Sequence, residues 1–172
     1  DRIVPVIGDL SAEHLGCGDR IDELKGEIDH FFHLAAIYDM TADAETQRVS
    51  NVEGTRHAVQ LAEAVDAKHF HMVSSIAAAG LYKGTFSEDM FEEAEKVENH
   101  PYFQTKHESE AVVREESDVP WRVYRPGIVV GDSETGEIDK IDGPYYFFKL
   151  LQRARNLLPQ WVPGIGIEGG KI

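Results

Sequence analysis

HFHMVSSIAAAG, residues 69–80, is the stretch whose reading decides the fold. A short apolar run leads straight into small residues, Ser74, Ser75 and then Ala77 to Gly80. That is the pattern of a buried parallel strand whose end something must approach closely. IDHFFHLAA (28–36) repeats it, and WRVYRPGIVVG (121–131) reads as a third strand stopped by Pro126-Gly127. Helical stretches lie between them. Residues 44–66 carry Val49, Val52, Val59, Ala62 and Val65 close to helical spacing. Residues 101–117 form a charged amphipathic helix opened by Pro101, a favoured first-turn residue. Strands alternating with helices predict an α/β fold, a doubly wound parallel sheet covered on both faces. Outward from this centre, Ile3–Ile7 reads as a short buried strand leading into Gly8-Asp9-Leu10, and residues 19–26 as a short helix. Residues 81–99 read as a polar, acidic loop with a short helical piece, and PYYFFKLLQRARNLL (144–158) as a strongly apolar helix.

Ligands of such sheets bind beyond the carboxyl ends of the strands, where HLAA, SSIAAAG and RPG all fall. Tyr102 and Lys106 lie near that edge, four apart and so on one helix face. A free tyrosine has a pKa near ~10 and is a good acid at neutral pH. A nearby ammonium favours the phenolate, which makes the pair a proton donor to a developing alkoxide. Tyr145 and Lys149 have the same spacing, so spacing alone does not select a pair. Ser75 does: it ends a strand 27 residues before Tyr102, where its hydroxyl can bond a substrate oxygen. Tyr145 has no such serine, and packing is its expected role. Asn51 sits in the preceding helix, either exposed or bonded to a neighbouring loop. Asp9, after a strand, is also an ordinary turn or cap residue.

The chain of 172 residues is long enough for one domain with a real core, and 42% hydrophobic content is that of a soluble globular protein. A net charge of −14 with no basic stripe argues against a nucleic-acid partner. No apolar run reaches a membrane span and no signal peptide is visible. The single cysteine, Cys17, fits a cytoplasmic location. His69 and His71 alternate on one strand, and His30 and His33 stand three apart in another, but neither pair forms a zinc motif, so no metal is expected. Glu88–Glu98 reads as a solvated surface. Gly164, Gly166, Gly169 and Gly170 do not sit between a strand and a helix and form no phosphate loop.

GDL, HLAA, NVEGT, VSS…G, YFQTK and YRPGIVVG occur in this order, and the chain resembles an extended short-chain dehydrogenase/reductase. DHFFHLAAIYDM, AKHFHMVSSIAAAGLYKG, DMFEEAEK and DGPYYFFK…LPQWVPGIGIEGG are most similar to the reductase domain of bacterial alcohol-forming fatty acyl-CoA reductases. The resemblance implies a Rossmann-like domain over residues 1–142 and the start of a substrate-binding region over 143–172. It implies that Ser75 and Tyr102 bind the substrate carbonyl oxygen, with Tyr102 the proton donor. Lys106 would hold the nicotinamide ribose, and Asn51 would anchor a relay water. Asp9 and Leu10 would meet the adenine, Leu34, Ala35 and Ala36 would line the cofactor, and Pro126, Gly127 and Ile128 would face the carboxamide. The resemblance also implies NAD(P)H as cofactor, with NADP(H) favoured over NAD(H), an acyl-CoA or aldehyde as substrate, and a homo-oligomer as one arrangement for this class.

The chain runs from Asp1 straight into an apolar segment and stops at Ile172, which reads as two cut ends. The first β-α-β unit, with its Gly-rich phosphate loop, and much of the substrate region are then expected outside it. Such a fragment should bind cofactor poorly and not turn over by itself. Two alternatives stand beside the acyl-CoA reductase reading. One is another extended short-chain dehydrogenase, of the nucleotide-sugar epimerase/dehydratase or sterol dehydrogenase type. The other is a non-catalytic dinucleotide-binding module, which has no need of Ser75, Tyr102 and Lys106 together.

Overall fold

The computed structural model describes residues 3–36, 44–139 and 145–157. Three parallel strands, β1 (His30–His33), β2 (His69–Val73) and β3 (Trp121–Tyr124), form a sheet in the order β1-β2-β3. His30 is level with His69, and Phe70 with Trp121. Parallel neighbours need helical crossovers. Between β1 and β2 lie α2 (Ala44–Arg48), a π-helical turn Val49–Glu53 and α3 (Gly54–Ala64). Between β2 and β3 lies α4 (Pro101–Glu116). The short α1 (Ile21–Leu24) precedes β1. The α/β alternation expected from the sequence is therefore present.

Side chains of one strand alternate between faces. Phe70 and Met72 point to one face and are almost fully enclosed. There they meet Ala58, Leu61, Ala62 and Val65 around α3, Val113 of α4 and Val119. Burying a Phe or Met side chain contributes roughly 1.5–3 kcal/mol, so this layer fixes α3 and α4 against the sheet. His30, Phe32, His69 and His71 share the opposite face. The Phe32 and His71 rings stack at 4.4 Å, and His71 bonds His30 and the Tyr124 hydroxyl, both at 3.0 Å.

Ile3–Ile7 departs from the expectation. It forms no strand, and Ile3 and Ile7 are exposed. Its apolar run has strand character, but among the described residues no neighbouring strand offers it a ladder. The other strands are shorter than the apolar runs that announced them. β2 ends at Val73 because Ser75 caps a 3-10 turn, Ile76–Ala79, its hydroxyl oxygen accepting from the Ala77 amide at 3.1 Å. Gly80 closes that turn at φ +64°, and a Cβ there would collide with the Glu95 carbonyl oxygen, so only glycine fits.

The chain divides into two compact units, residues 1–126 and 127–172. In the second, α5 (Tyr145–Leu157) is held at its start by the Tyr145 hydroxyl, which accepts from the Gly131 amide at 2.7 Å. Tyr146, Phe147, Phe148, Leu150 and Leu151 of α5 are exposed. Leu158, Trp161, Val162 and the four glycines Gly164, Gly166, Gly169 and Gly170 lie outside the described residues.

Candidate active site

α4 begins where its sequence predicts. Pro101 occupies the first turn, and His100 Nδ1 accepts from the Tyr102 amide at 3.2 Å, satisfying one of the orphan donors of a helix start. Tyr102 is thereby set in the first turn, half-buried. One turn on, the Lys106 ammonium lies 5.9 Å from the centre of the Tyr102 ring. Lys106 is buried, and burial holds its pKa below the usual lysine range, with Glu110 pulling the other way. Among the described residues it makes no hydrogen bond and no ion pair. A buried ammonium with unused donors suits the hydroxyls of a ribose, so the residues present fit a nicotinamide dinucleotide.

Asn51 is buried in the π-helical turn, so the exposed alternative does not hold. Its side-chain Nδ2 donates to Thr105 Oγ1 at 3.3 Å, and that hydroxyl donates to the Tyr102 carbonyl at 3.2 Å. The main-chain carbonyl of Asn51 accepts from Thr55 Oγ1 at 2.6 Å and Ser109 Oγ at 2.9 Å. Asn51 thus ties the crossover helix to the turn that carries Tyr102. Behind it, His33 Nε2 lies 3.1 Å from Thr55 Oγ1. The Thr55 proton is committed to Asn51, so His33 donates. Burial, helped by the Lys106 charge, pushes the His33 pKa down to about 4, so the ring is neutral.

Ser75 stands at the carboxyl end of β2, half-buried. The turn after it packs on α4, where His107 Nδ1 donates to the Ala78 carbonyl at 3.1 Å. The Ile76 amide donates to the Pro126 carbonyl at 3.2 Å, so the ends of β2 and β3 stay paired past the strands. Leu34, Ala35 and Ala36 follow β1 and are exposed. Asp9 accepts from the Ser11 amide at 2.8 Å and the Ser11 hydroxyl at 2.7 Å, which hold its pKa below the usual carboxylate range. Leu10 rests on α3. A Cβ on Gly54 would come within 3.3 Å of it, and His57 Nδ1 donates to its carbonyl at 2.8 Å. Gly127 and Ile128 belong to the second unit, where Ile128 is exposed. Among the described residues no group of three or more His, Cys, Asp or Glu side chains could hold a metal ion. No helix there is long and apolar enough to cross a membrane.

Sequence reasoning overlooked the polar residues beneath this edge. Glu110, Ser74, Arg125, Thr105, Ser109 and His33 are all buried or nearly so: Glu110 is bonded to Ser74 and Arg125, while Thr105, Ser109 and, through Thr55, His33 gather around Asn51. A signal existed: Glu110 follows Lys106 by four residues, and Arg125 directly precedes the Pro126-Gly127 strand stop.

The NAD-binding family model described as "Male sterility protein" matches residues 1–166. The chain belongs to that family. Within the family's reach, it is 34% identical over 82% of its length to a linear gramicidin synthase polypeptide of Brevibacillus parabrevis, covering 3% of that protein. It is 32% identical over 82% of its length to an aldehyde reductase of Aspergillus flavus, covering 15% of it. A putative fatty acyl-CoA reductase of Drosophila melanogaster is 27% identical over 77% of this chain and is covered to 30%. Among solved structures, the terminal R domain of the myxalamid PKS-NRPS pathway superimposes with a TM-score of 0.68. It is 34% identical over 78% of this chain and is covered to 35%. The chain therefore spans less than a third of the length of each of these curated relatives. These likenesses make the male sterility family domain an oxidoreductase domain of the extended short-chain dehydrogenase/reductase type with a Rossmann-like fold. They do not single out the bacterial fatty acyl-CoA lineage within that family.

Proposed function

We propose that the protein reduces the carbonyl of an acyl thioester, with a fatty acyl-CoA as the substrate and the alcohol as the end product. The buried Lys106 ammonium one turn below Tyr102, with no hydrogen bond among the described residues, carries this reading. Bound NAD(P)H, with NADPH the favoured form, supplies the hydride. Ser75 donates a hydrogen bond to the carbonyl oxygen, and Tyr102 gives it a proton as negative charge develops there. Lys106 holds the ribose, and its charge favours the Tyr102 phenolate that remains. The protonated adduct is a hemithioacetal. Breaking its C–S bond releases the thiol and leaves an aldehyde. After exchange of the oxidised cofactor for a second NAD(P)H and reprotonation of Tyr102 from solvent, a second hydride to that carbon and a second proton from Tyr102 would give the alcohol. Asn51 keeps the first turn of α4 in place through Thr105 and is assigned to the proton path. Leu34, Ala35 and Ala36 expose small or apolar surface suited to close cofactor approach. Asp9 and Leu10 are assigned to the adenine, and Pro126, Gly127 and Ile128 to the carboxamide.

The exposed apolar side chains of α5 support a long acyl group. A second reading, a thioester made by a peptide or polyketide assembly line, is supported by the 34% identity to the PKS-NRPS terminal domain. The test is turnover of the intact protein with NADPH and acyl thioesters. Tyr102→Phe should lower kcat by at least about a hundredfold and leave cofactor binding intact. Tyr145→Phe, whose hydroxyl accepts from Gly131, should leave the rate nearly unchanged. Equal losses in the two variants, or loss at Tyr145 alone, would show that the wrong pair has been assigned.

A further inference from the structure

Glu110 is fully enclosed, yet the steps above make no use of it. It lies one turn beyond Lys106 on the buried face of α4. Its Oε1 accepts from Ser74 Oγ at 2.6 Å and from Arg125 Nε at 3.0 Å, and its Oε2 accepts from Arg125 Nη2 at 2.7 Å. Arg114 Nε stands 4.0 Å from Oε2. Arg125 is anchored in turn by the Met90 carbonyl at 2.9 Å. One carboxylate therefore ties the ends of β2 and β3, beside Ser75 and Pro126, to the helix that carries Tyr102 and Lys106.

Packing alone does not call for a charge here. Apolar residues of similar volume commonly replace a buried ion pair at no cost in stability, because both ions must be desolvated. A second enclosed charge, the Lys106 ammonium, lies on the same helix face with no hydrogen-bonded partner among the described residues. Among the described residues, the charged and titratable groups that act on Lys106 are Tyr102 and Glu110 on its own helix and His33 from β1, which feels its charge; Arg125, from beyond β3, is paired with Glu110.

We propose that Glu110 is a positioning residue for Lys106: its carboxylate keeps the ammonium charged inside the protein, and Arg125 sets how much of that field reaches it. This rests on the reading of Tyr102 and Lys106 as the catalytic pair, but it can be measured without substrate. Burial alone favours the neutral amine. A negative charge one turn away opposes this, and the guanidinium on the far side of the carboxylate partly cancels it. The two partners of one ion pair thus act on Lys106 with opposite signs.

The experiment is an NMR titration of the Lys106 ε-methylene in protein carrying 13C-labelled lysine, with the signal assigned through Lys106→Arg. Glu110→Gln should move the Lys106 midpoint down by about one pH unit, a tenfold change in its protonation ratio. Arg125→Gln should move it up. Ser74→Ala, which removes one hydrogen bond and leaves both charges, should leave it in place. A merely structural role would loosen the same contact in all three, admit water and move every midpoint upward towards an ordinary lysine. A midpoint that is unchanged or raised in Glu110→Gln overturns the proposal. If that variant does not fold, a shift in Ser74→Ala equal to that in Arg125→Gln overturns it instead. Failure of the catalytic reading registers separately, as full turnover in Tyr102→Phe.

Discussion

His33 shows how a single enclosed side chain gives the fold a pH dependence. In the unfolded chain its pKa is that of an ordinary histidine, 6.5, and in the fold it is about 4. The unfolded state therefore binds the extra proton first as pH falls. The stability contributed by the neutral ring is complete above pH 6.5 and is lost progressively down to about pH 4. The loss is on the order of 3 kcal/mol. Urea midpoints measured between pH 7 and pH 4.5 should fall with this slope. His33→Gln keeps a nitrogen donor for Thr55 but cannot protonate, so it should flatten the slope relative to the parent while lowering stability at pH 7. Equal slopes in the two proteins would mean that another group governs the acid limb. Strand alternation already held the clue: His30 and His33 stand three apart and must face opposite sides of the sheet, so they were never a ligand pair. The neighbours that bury His33, Thr55 and Phe70, come from sequence positions far away, and no local pattern announces them.

At the level of elements, the crossover between β1 and β2 shows what periodicity can and cannot reveal. The apolar spacing of Val49, Val52, Val59, Ala62 and Val65 correctly marked helical structure. It could not mark the π-helical turn at Val49–Glu53, because one widened turn leaves the apolar stripe almost continuous. Yet that turn buries Asn51 and directs its carbonyl to Thr55 and Ser109. Ile3–Ile7 failed for the complementary reason. Strand character is local, but a strand exists only beside a partner. Gly54 gives the crossover its sharpest test. It lies at the start of α3, where Leu10 packs against it, and a Cβ would already sit 3.3 Å from two Leu10 carbons. Gly54→Ala gains helix propensity of about 1 kcal/mol while crowding Leu10, and the two effects should nearly offset in thermal denaturation. Gly54→Val adds volume and β-branching, and should destabilise by roughly 1–3 kcal/mol. A melting temperature unchanged in Gly54→Val would show that the segment before α1 is not seated on α3.

For the whole molecule, the order of short motifs along the chain was enough to reveal the family, because those motifs surround the strand ends where a dinucleotide-binding sheet does its work. Substrate choice was less legible, since the residues that select an acyl group need not be those that carry out hydride and proton transfer. The aldehyde reductase and the assembly-line domain are similarly close to this chain, at 32% and 34% identity, and differ in what they are named for. α5 bears on the choice. Tyr146, Phe147 and Phe148 span most of a helical turn and all are exposed, together with Leu150 and Leu151. An amphipathic helix that packs on one side only needs a single apolar stripe. A phosphate-rich sugar nucleotide gains little from such a wall, whereas an acyl chain gains about 0.8 kcal/mol for each methylene it buries there. For the intact protein, kcat/KM should therefore rise several-fold with each pair of methylenes added to a short acyl-CoA or aldehyde, until the apolar surface is covered. The measurement is a chain-length series at fixed pH, run once with NADPH and once with NADH, so that cofactor preference is read from the same data. A flat profile would remove the lipid reading and favour a peptidyl or polyketide thioester. Activity confined to nucleotide sugars would remove thioesters altogether and leave only the extended short-chain dehydrogenase assignment.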